Sequence, residues 1–379
     1  MRKLLYLSNL RLPTEKAYGI QITKMCEAFA EAGVSVELVY PYRKNPIKAD
    51  VFDYYSVKKV FKVAKLPALD FHFFGAFDKT VVGLKSFISA VVLFFYILFR
   101  RLDMIYSRDE LVLFLISFLK KRLVFEAHRF SPKRKFFYGR FKNLGIKIVV
   151  ISEAIKKEFL KFGFNEKNVL IAHDGVDLKE FDLPVSKEEA REKVGLSTEK
   201  KIIMYTGHLF EWKGAQTLLQ TARKLQTQDV IFIFVGGMEY DIEKFKEKAK
   251  GLSNVLVVGH KPHKEIPFYL KAADIVVLPN SAEEDISSKY TSPLKLFEYM
   301  ASGRPIVASD LPSVREILKD SNAILVKPDN LESLAEVVER VLNDKILADN
   351  ISYAAFEKVK NYTWQKRAKA IVEFLCFQS

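Results

Sequence analysis

The sequence predicts an α/β protein built from two doubly wound, Rossmann-like domains that face a cleft. Three observations point there. Short apolar runs rich in β-branched residues alternate with longer helical periods, as expected of parallel strands covered by helices. The alternation runs twice, once before and once after a charged stretch opened by Pro184. At 379 residues, 49% hydrophobic and 13% aromatic, the chain also has enough apolar side chains for two separate cores.

In the first series the strands read as Lys3–Leu7, Ser35–Val39, Met104–Ser107, Leu123–Glu126 and Lys147–Ile151. A helix from about Ile20 to Glu31, closed by Gly33, joins the first two into a βαβ unit. In the second series they read as Lys201–Thr206, Val230–Val235, Val255–Val258, Ile275–Leu278 and Ile306–Ala308. Between the series lies Phe181–Glu199, with a short helix at Lys187–Val194. This stretch divides the chain into domains 1–184 and 185–361, and the helical pattern of 362–379, containing Trp364, closes it. Ligands of such sheets gather at the carboxyl ends of the strands, so the chemistry is expected in the cleft.

Composition excludes several classes. Cys26 and Cys376 have neither metal-ligand nor redox spacing, and the six histidines are scattered apart from His260 and His263, so no bound metal is expected. MRKLLYLSNL passes into Arg11, Pro13 and Glu15 without a long apolar core, which reads as a first strand and not a signal peptide. The apolar run Ser86–Phe99 falls short of the ~20 residues of a spanning helix. A cytoplasmic protein is expected, with a peripheral place on the inner face of the membrane. Residues 1–150 carry 27 Lys and Arg against 12 Asp and Glu, whereas 151–379 carry 33 against 34. Such asymmetry fits an anionic partner of the first part, or a basic surface used for solubility. Within it, Arg129–Lys142 interleaves six cations with Phe130, Phe136, Phe137, Tyr138 and Phe141, a composition that suits an anionic lipid interface. The run Ser86–Phe99 can add apolar contact there, although a helix between strands more often lies in the core.

Tyr290–Asp310 reads as a turn around Thr291, Ser292 and Pro293, a helix from Leu294 to Ala301, a break at Gly303 and a buried strand. Either this is an ordinary capped surface helix, or its free amides and the Ser292 hydroxyl hold a diphosphate. In the second case Glu298, one turn beyond Leu294, can accept from ribose hydroxyls. Tyr205–Gly214, YTGHLFEWKG, is a strand ending in a glycine turn that delivers Lys213 to the strand's carboxyl end. A cation there either sits in a surface loop or neutralises a leaving diphosphate. His208, in the same turn, can donate to a phosphate oxygen, more strongly when protonated. Gly19, in AYGIQ, follows the first strand, and His128, in VFEAHRF, closes another.

Tyr290–Asp310 resembles the donor-binding segment of glycosyltransferase family 4, glycosyl transferases group 1, whose members share the two-domain GT-B architecture. That resemblance implies an N-terminal acceptor domain, a C-terminal nucleotide-sugar domain and a last helix crossing back to the first. Glu298 matches the family glutamate that grips the ribose, Tyr290 stands where a first glutamate is usual, and Lys295 falls inside the matched segment. Glu283, Glu284 and Asp285 lie just upstream. Lys213 and Gly214 match the family's lysine turn, with His208 in the place of an arginine. Gly19 resembles part of the glycine-rich turn, His128 the histidine that contacts the donor sugar, and His173–Asp177 a structural turn.

The resemblance implies a retaining, metal-independent transfer of a hexose-type sugar from a nucleoside diphosphate to an acceptor hydroxyl, with no cofactor beyond the donor itself. A lipid-linked or glycan acceptor is expected. Two rivals are a sugar-nucleotide epimerase of the same architecture and a basic nucleic-acid-binding protein. No nucleic-acid motif supports the latter, and no GxGxxG follows either first strand, which argues against a nicotinamide enzyme.

Overall fold

The computed structural model describes residues 2–68, 78–119, 121–226, 229–290 and 292–376, apart from the side chains at 78–82, 286 and 376. The chain forms two compact units, Met1–His173 with Trp364–Ser379, and Asp174–Thr363.

The first unit is a parallel sheet of seven strands, β1 (Lys3–Leu7), β2 (Ser35–Pro41), β3 (Lys62–Leu66), β4 (Met104–Ser107), β5 (Leu123–Ala127), β6 (Lys147–Val150) and β7 (Val169–Ile171). They lie in the order β3-β2-β1-β4-β5-β6-β7. The five strands expected from sequence are present. The two added ones are the edges: β3 carries two lysines in five residues and β7 has three residues, so neither produces an apolar run long enough to read. Central strands are apolar on both faces because helices cover both; Leu5, Tyr6, Leu38, Ile105 and Ile148 are fully buried.

A fully buried carboxylate sits inside this core. Glu126 on β5 is fully buried and accepts hydrogen bonds from Arg367 (3.0 Å), Gln21 (2.5 Å) and Tyr106. Burial alone would raise its carboxyl pKa; Arg367, then His128 and Arg108, overcome that and hold it well below the ordinary range. The Arg367 Nε also donates to the carbonyls of Ala172 and His173. The helix Trp364–Cys376 is thereby tied to the first unit.

The second unit is a six-stranded parallel sheet of β8 (Lys201–Thr206), β9 (Val230–Val235), β10 (Val255–Gly259), β11 (Ile275–Leu278), β12 (Ile306–Ser309) and β13 (Ile324–Val326). Their order is β10-β9-β8-β11-β12-β13. Only the three-residue edge β13 is not anticipated by the apolar pattern. The seam between the units falls after residue 173 and not after 184, and the return is at 364 and not 362. Local packing explains the shift. The amide of Val176 donates to the Tyr362 carbonyl at 2.9 Å, Val176 bridges to Thr363, and Val176 and Phe181 lie in the core with Phe297 and Val359. Charge at 182–199 marks a surface, and the apolar residues just before it have already joined the second core.

The helix Asp78–Leu98 is longer than its apolar run suggests. It buries Ala90, Leu93 and Ile97 and leaves Leu84, Phe87 and Phe95 about half exposed or more. Among the described residues, no helix is long and apolar enough to cross a membrane.

Asp274, just before β11, anchors the second unit. It accepts from Arg191 (2.6 Å), Lys187 (2.8 Å) and the Ile202 amide (2.7 Å). Burial would raise its pKa; Lys187, the Ile202 amide and Arg191 lower it below the ordinary value. Asp274→Ala leaves the buried Arg191 without its charge partner. We expect a loss of about 3 kcal/mol or more in denaturant unfolding of this unit. Because the folded pKa is depressed, the carboxylate's contribution is complete above the ordinary value of 3.8 and disappears as pH falls through the lower one.

Candidate functional site

In the second unit, the turn that follows β8 meets the segment that follows β11 at the carboxyl ends of the two strands. These strands are neighbours, and the chain leaves β8 for β9 on its other side, which makes this the switch point of the sheet. After β8 the chain turns through Gly207–Gly214. The Trp212 carbonyl accepts from the Ser281 amide and the Ser287 hydroxyl, each at 3.1 Å. Gly214 has φ +71°, and a Cβ there would lie 1.6 Å from the Pro279 carbonyl oxygen; only glycine fits. The turn therefore has one available path, and that path fixes Lys213. The Lys213 ammonium sits 3.9 Å from the Trp212 ring centroid, and desolvation pulls its pKa down to about 8.

The helix Leu294–Ala301 begins at Pro293 with no side-chain cap, so its first amides are not satisfied by a neighbouring side chain. Ser292 Oγ accepts from the Asp174 amide at 3.4 Å. Lys295, in the first turn, is 8% exposed. Its ammonium lies 4.0 Å from the Tyr205 ring centroid and has no hydrogen-bond partner among the described residues. Burial, then repulsion from Lys213, holds its pKa well below the lysine range, with Glu298 opposing. Glu298 Oε1 is 3.0 Å from His263 Nε2, and the Tyr299 hydroxyl accepts from the Thr206 amide at 2.8 Å. The His208 ring stacks on Phe210, with centroids 4.9 Å apart, and its carbonyl accepts from Tyr205.

Of the expected donor-binding residues, Lys213, Lys295 and Glu298 are thus electrostatic neighbours, with Ser292, Pro293 and Leu294 at the adjoining helix start and His208 behind Tyr205. Tyr290 ends a π-helical turn, Ile286–Tyr290, half-buried. Thr291 lies outside the described residues. Glu283, Glu284 and Asp285 are exposed, and Asp285 pairs with Lys289 at 2.8 Å. In the first unit, His128 follows β5 and its Nε2 is 2.7 Å from Glu126 Oε1. Gly19 lies not in a loop but in the first turn of the helix Ala17–Glu31. A Cβ there would lie 1.9 Å from the Tyr55 hydroxyl oxygen, so packing against Tyr55 accounts for the glycine.

Three participants are not visible to sequence reasoning. His263 stands out there only as a near neighbour of His260, and nothing in its spacing links it to Glu298. Tyr205 passes as an ordinary strand residue, although its ring carries the Lys295 ammonium. Glu126 reads as the end of a strand, and no local pattern announces a partner 241 positions away.

Residues 186–358 match the family described as glycosyl transferases group 1. The match covers most of the second unit. An uncharacterized glycosyltransferase of Methanocaldococcus jannaschii is 27% identical over 237 residues, 59% of this chain and 58% of the relative. The chain thus matches a little over half the length of that curated relative. In structure the likeness extends over the whole chain. Anabaena HepE, solved in complex with UDP and glucose, superposes with TM-score 0.73 and 17% identity over 99% of both chains. WaaG, a glycosyltransferase involved in lipopolysaccharide biosynthesis, gives TM-score 0.71 and 14% identity over 99% of this chain and 100% of its own. The chain has their two-unit GT-B fold, and its second unit carries the lysine pair and Glu298.

A desolvated ammonium burdens the second unit. Lys213→Met is expected to raise its melting temperature at pH 7 by roughly 2–4 °C, corresponding to about 1 kcal/mol. The sign follows from the depressed pKa. Below about 8 lysine is charged in both folded and unfolded chains and the desolvation cost is complete. Toward the ordinary 10.5 the cost vanishes, so the difference between variant and wild type closes as pH rises. Thermal unfolding of the pair at pH 7 and pH 10 measures it.

Proposed function

We propose that the chain is a retaining glycosyltransferase of family 4 that moves a hexose-type sugar from a nucleoside diphosphate to an acceptor hydroxyl. The observation that carries this reading is the pair of desolvated lysines beside an uncapped helix start, with Glu298 one turn away. Two fixed cations and free amides suit a diphosphate, and a carboxylate one helical turn beyond suits the ribose hydroxyls. HepE, which shares the fold and was solved in complex with UDP and glucose, supports the reading.

In the proposed reaction the bond between the anomeric carbon and the β-phosphate oxygen breaks while the acceptor oxygen bonds to the same carbon on the same face. The acceptor proton passes to the leaving phosphate. Lys213 stabilises the charge that develops there, so that no divalent metal is called for, and there is no covalent enzyme nucleophile. The resemblance gives His128 the sugar-contacting role, and Glu126 orients its ring.

For the acceptor we favour a lipid-linked or glycan chain of a surface polysaccharide or glycolipid, met at an anionic membrane. The involvement of WaaG in lipopolysaccharide biosynthesis supports that choice. In the first unit, Lys133, Arg134 and Lys135 are exposed beside Phe136, which is 75% exposed, and Phe118 is 57% exposed. Phe136 packs on Phe114 at 5.2 Å, which in turn contacts Phe118. The aromatic share of this patch is smaller than the sequence suggests: Tyr138 and Phe141 are wholly buried, and Phe130 packs on Tyr138 and Phe159.

Two measurements test the reading. With a panel of nucleotide sugars and a lipid-linked acceptor, wild type should release nucleoside diphosphate in the presence of EDTA. Lys213→Ala should lower the rate by about 100-fold with donor affinity less affected; an unaltered rate refutes the assignment. Conversion of donor without any acceptor would make the protein an epimerase instead. Separately, flotation with anionic vesicles should carry the protein at low salt and lose it when Lys133, Arg134 and Lys135 become glutamate. No binding at low salt removes the membrane from the proposal.

A further inference from the structure

Lys295 has an environment that nothing within the protein explains. Its ammonium is more than nine-tenths buried, faces the Tyr205 ring, and has no hydrogen-bond acceptor among the described residues. The nearest acid on its own helix, Glu298, is engaged by His263. A Cβ placed on Gly207 would lie 3.8 Å from the Lys295 Nζ, so the ammonium lies against the backbone where β8 ends. The groups beside it are Lys213 from the turn, Tyr205 from β8, whose hydroxyl donates to the His208 carbonyl, and Glu298 from its own helix. Only Glu298 among these is an anion. Burying a cation beside a second cation is costly unless an anion completes the set.

We propose that Lys295 is the second cation of a two-lysine clamp for the diphosphate of the donor, and that filling the clamp draws a proton from solvent. The inference rests on the donor reading above. Its logic is linkage. Without a ligand, desolvation and the Lys213 charge disfavour the Lys295 ammonium. A bound diphosphate supplies negative charge at the same place and restores the proton. A nucleoside diphosphate cannot be the source of that proton at pH 8, because its terminal phosphate, with a pKa of about 6, is already ionised; inorganic pyrophosphate still holds a proton at that pH, so it serves only to measure affinity. His208 is the other neighbour able to gain a proton, and Lys213 also titrates near this pH, so the test separates all three.

The experiment is titration calorimetry of the full chain with inorganic pyrophosphate, UDP and GDP at pH 8, repeated in buffers of different ionisation enthalpy. The slope of observed heat against buffer enthalpy counts the protons taken up. Wild type should take up protons from solvent on binding UDP or GDP. Lys295→Arg should bind but take up distinctly fewer protons, since a guanidinium stays charged without a ligand. Lys295→Met should bind about 10-fold to 100-fold more weakly, also with reduced uptake, a loss in the range of a charge-assisted hydrogen bond. His208→Gln should keep the wild-type proton count, and Lys213→Arg should keep the part due to Lys295.

Zero uptake in wild type overturns the proposal. So does a count unchanged in Lys295→Arg, or one abolished by His208→Gln alone. Pyrophosphate binding that weakens in Lys295→Met and that no nucleoside diphosphate exceeds in affinity would uphold the clamp and remove the nucleotide donor. Tight nucleotide binding without uptake would uphold the donor and remove the clamp. If none of the three ligands binds, both fall.

Discussion

A charge removed from water must meet an opposite charge or lose its own, and this chain handles that constraint in two opposite ways. In the first, the buried carboxylate of Glu126 is answered inside the protein by Arg367, Gln21 and Tyr106. In the second, the ammonium of Lys295 is left without an anionic partner of its own and shares its surroundings with Lys213. A satisfied buried pair holds elements together. An unsatisfied one stores free energy that a ligand of the right sign can release. The same electrostatics thus tie the last helix into one unit and leave an unanswered charge in the other.

That contrast bears on how much of the molecule the amino-acid pattern discloses. Central strands such as β1, β8 and β9 are buried on both faces, so they appear as unbroken apolar runs with the bounds that the structure shows. Edge strands face neighbours on one side only. In β3 the lysines fall on such an edge, and β7 and β13 are too short to produce a run. The seam is misplaced by the pattern for a related reason: charge reveals where a surface is, and Val176 and Phe181 belong to a core that the charged stretch merely covers.

For the site, legibility depends on whether the signal is local. Lys213 and Glu298 can be proposed because each lies within a few residues of a turn or helix start that gives it meaning. Gly19 has a local signal too, but glycine is silent about why it is needed, and Tyr55, not a ligand, fills the space over it. Lys295 is named with its segment, yet its burial against Tyr205 depends on a contact between distant strands and helices. The hydrogen bond from His263 to Glu298 likewise joins positions separated by a whole strand and helix. No spacing rule reaches these partnerships, because they are set by sheet order and not by chain order.

Exposure also separates two kinds of positive charge that composition counts alike. The cations at 133–135 stand in solvent, where salt screens them over a Debye length of about 10 Å at 0.1 M and each surface pair contributes at most ~1 kcal/mol. Their attraction to an anionic surface is therefore long in reach, weak per residue and easily removed by salt. The cation at 295 is buried and that at 213 partly buried, so ionic strength alters their interaction with a bound phosphate less than protonation does. The first set suits a reversible approach to a charged surface, governed by salt. The second suits a short-range grip on a small anion, governed by pH. A chain with a surplus of positive charge in its first part and near balance in its second can therefore carry its more consequential cations in the balanced part, because burial, and not number, determines how strongly a charge demands a partner.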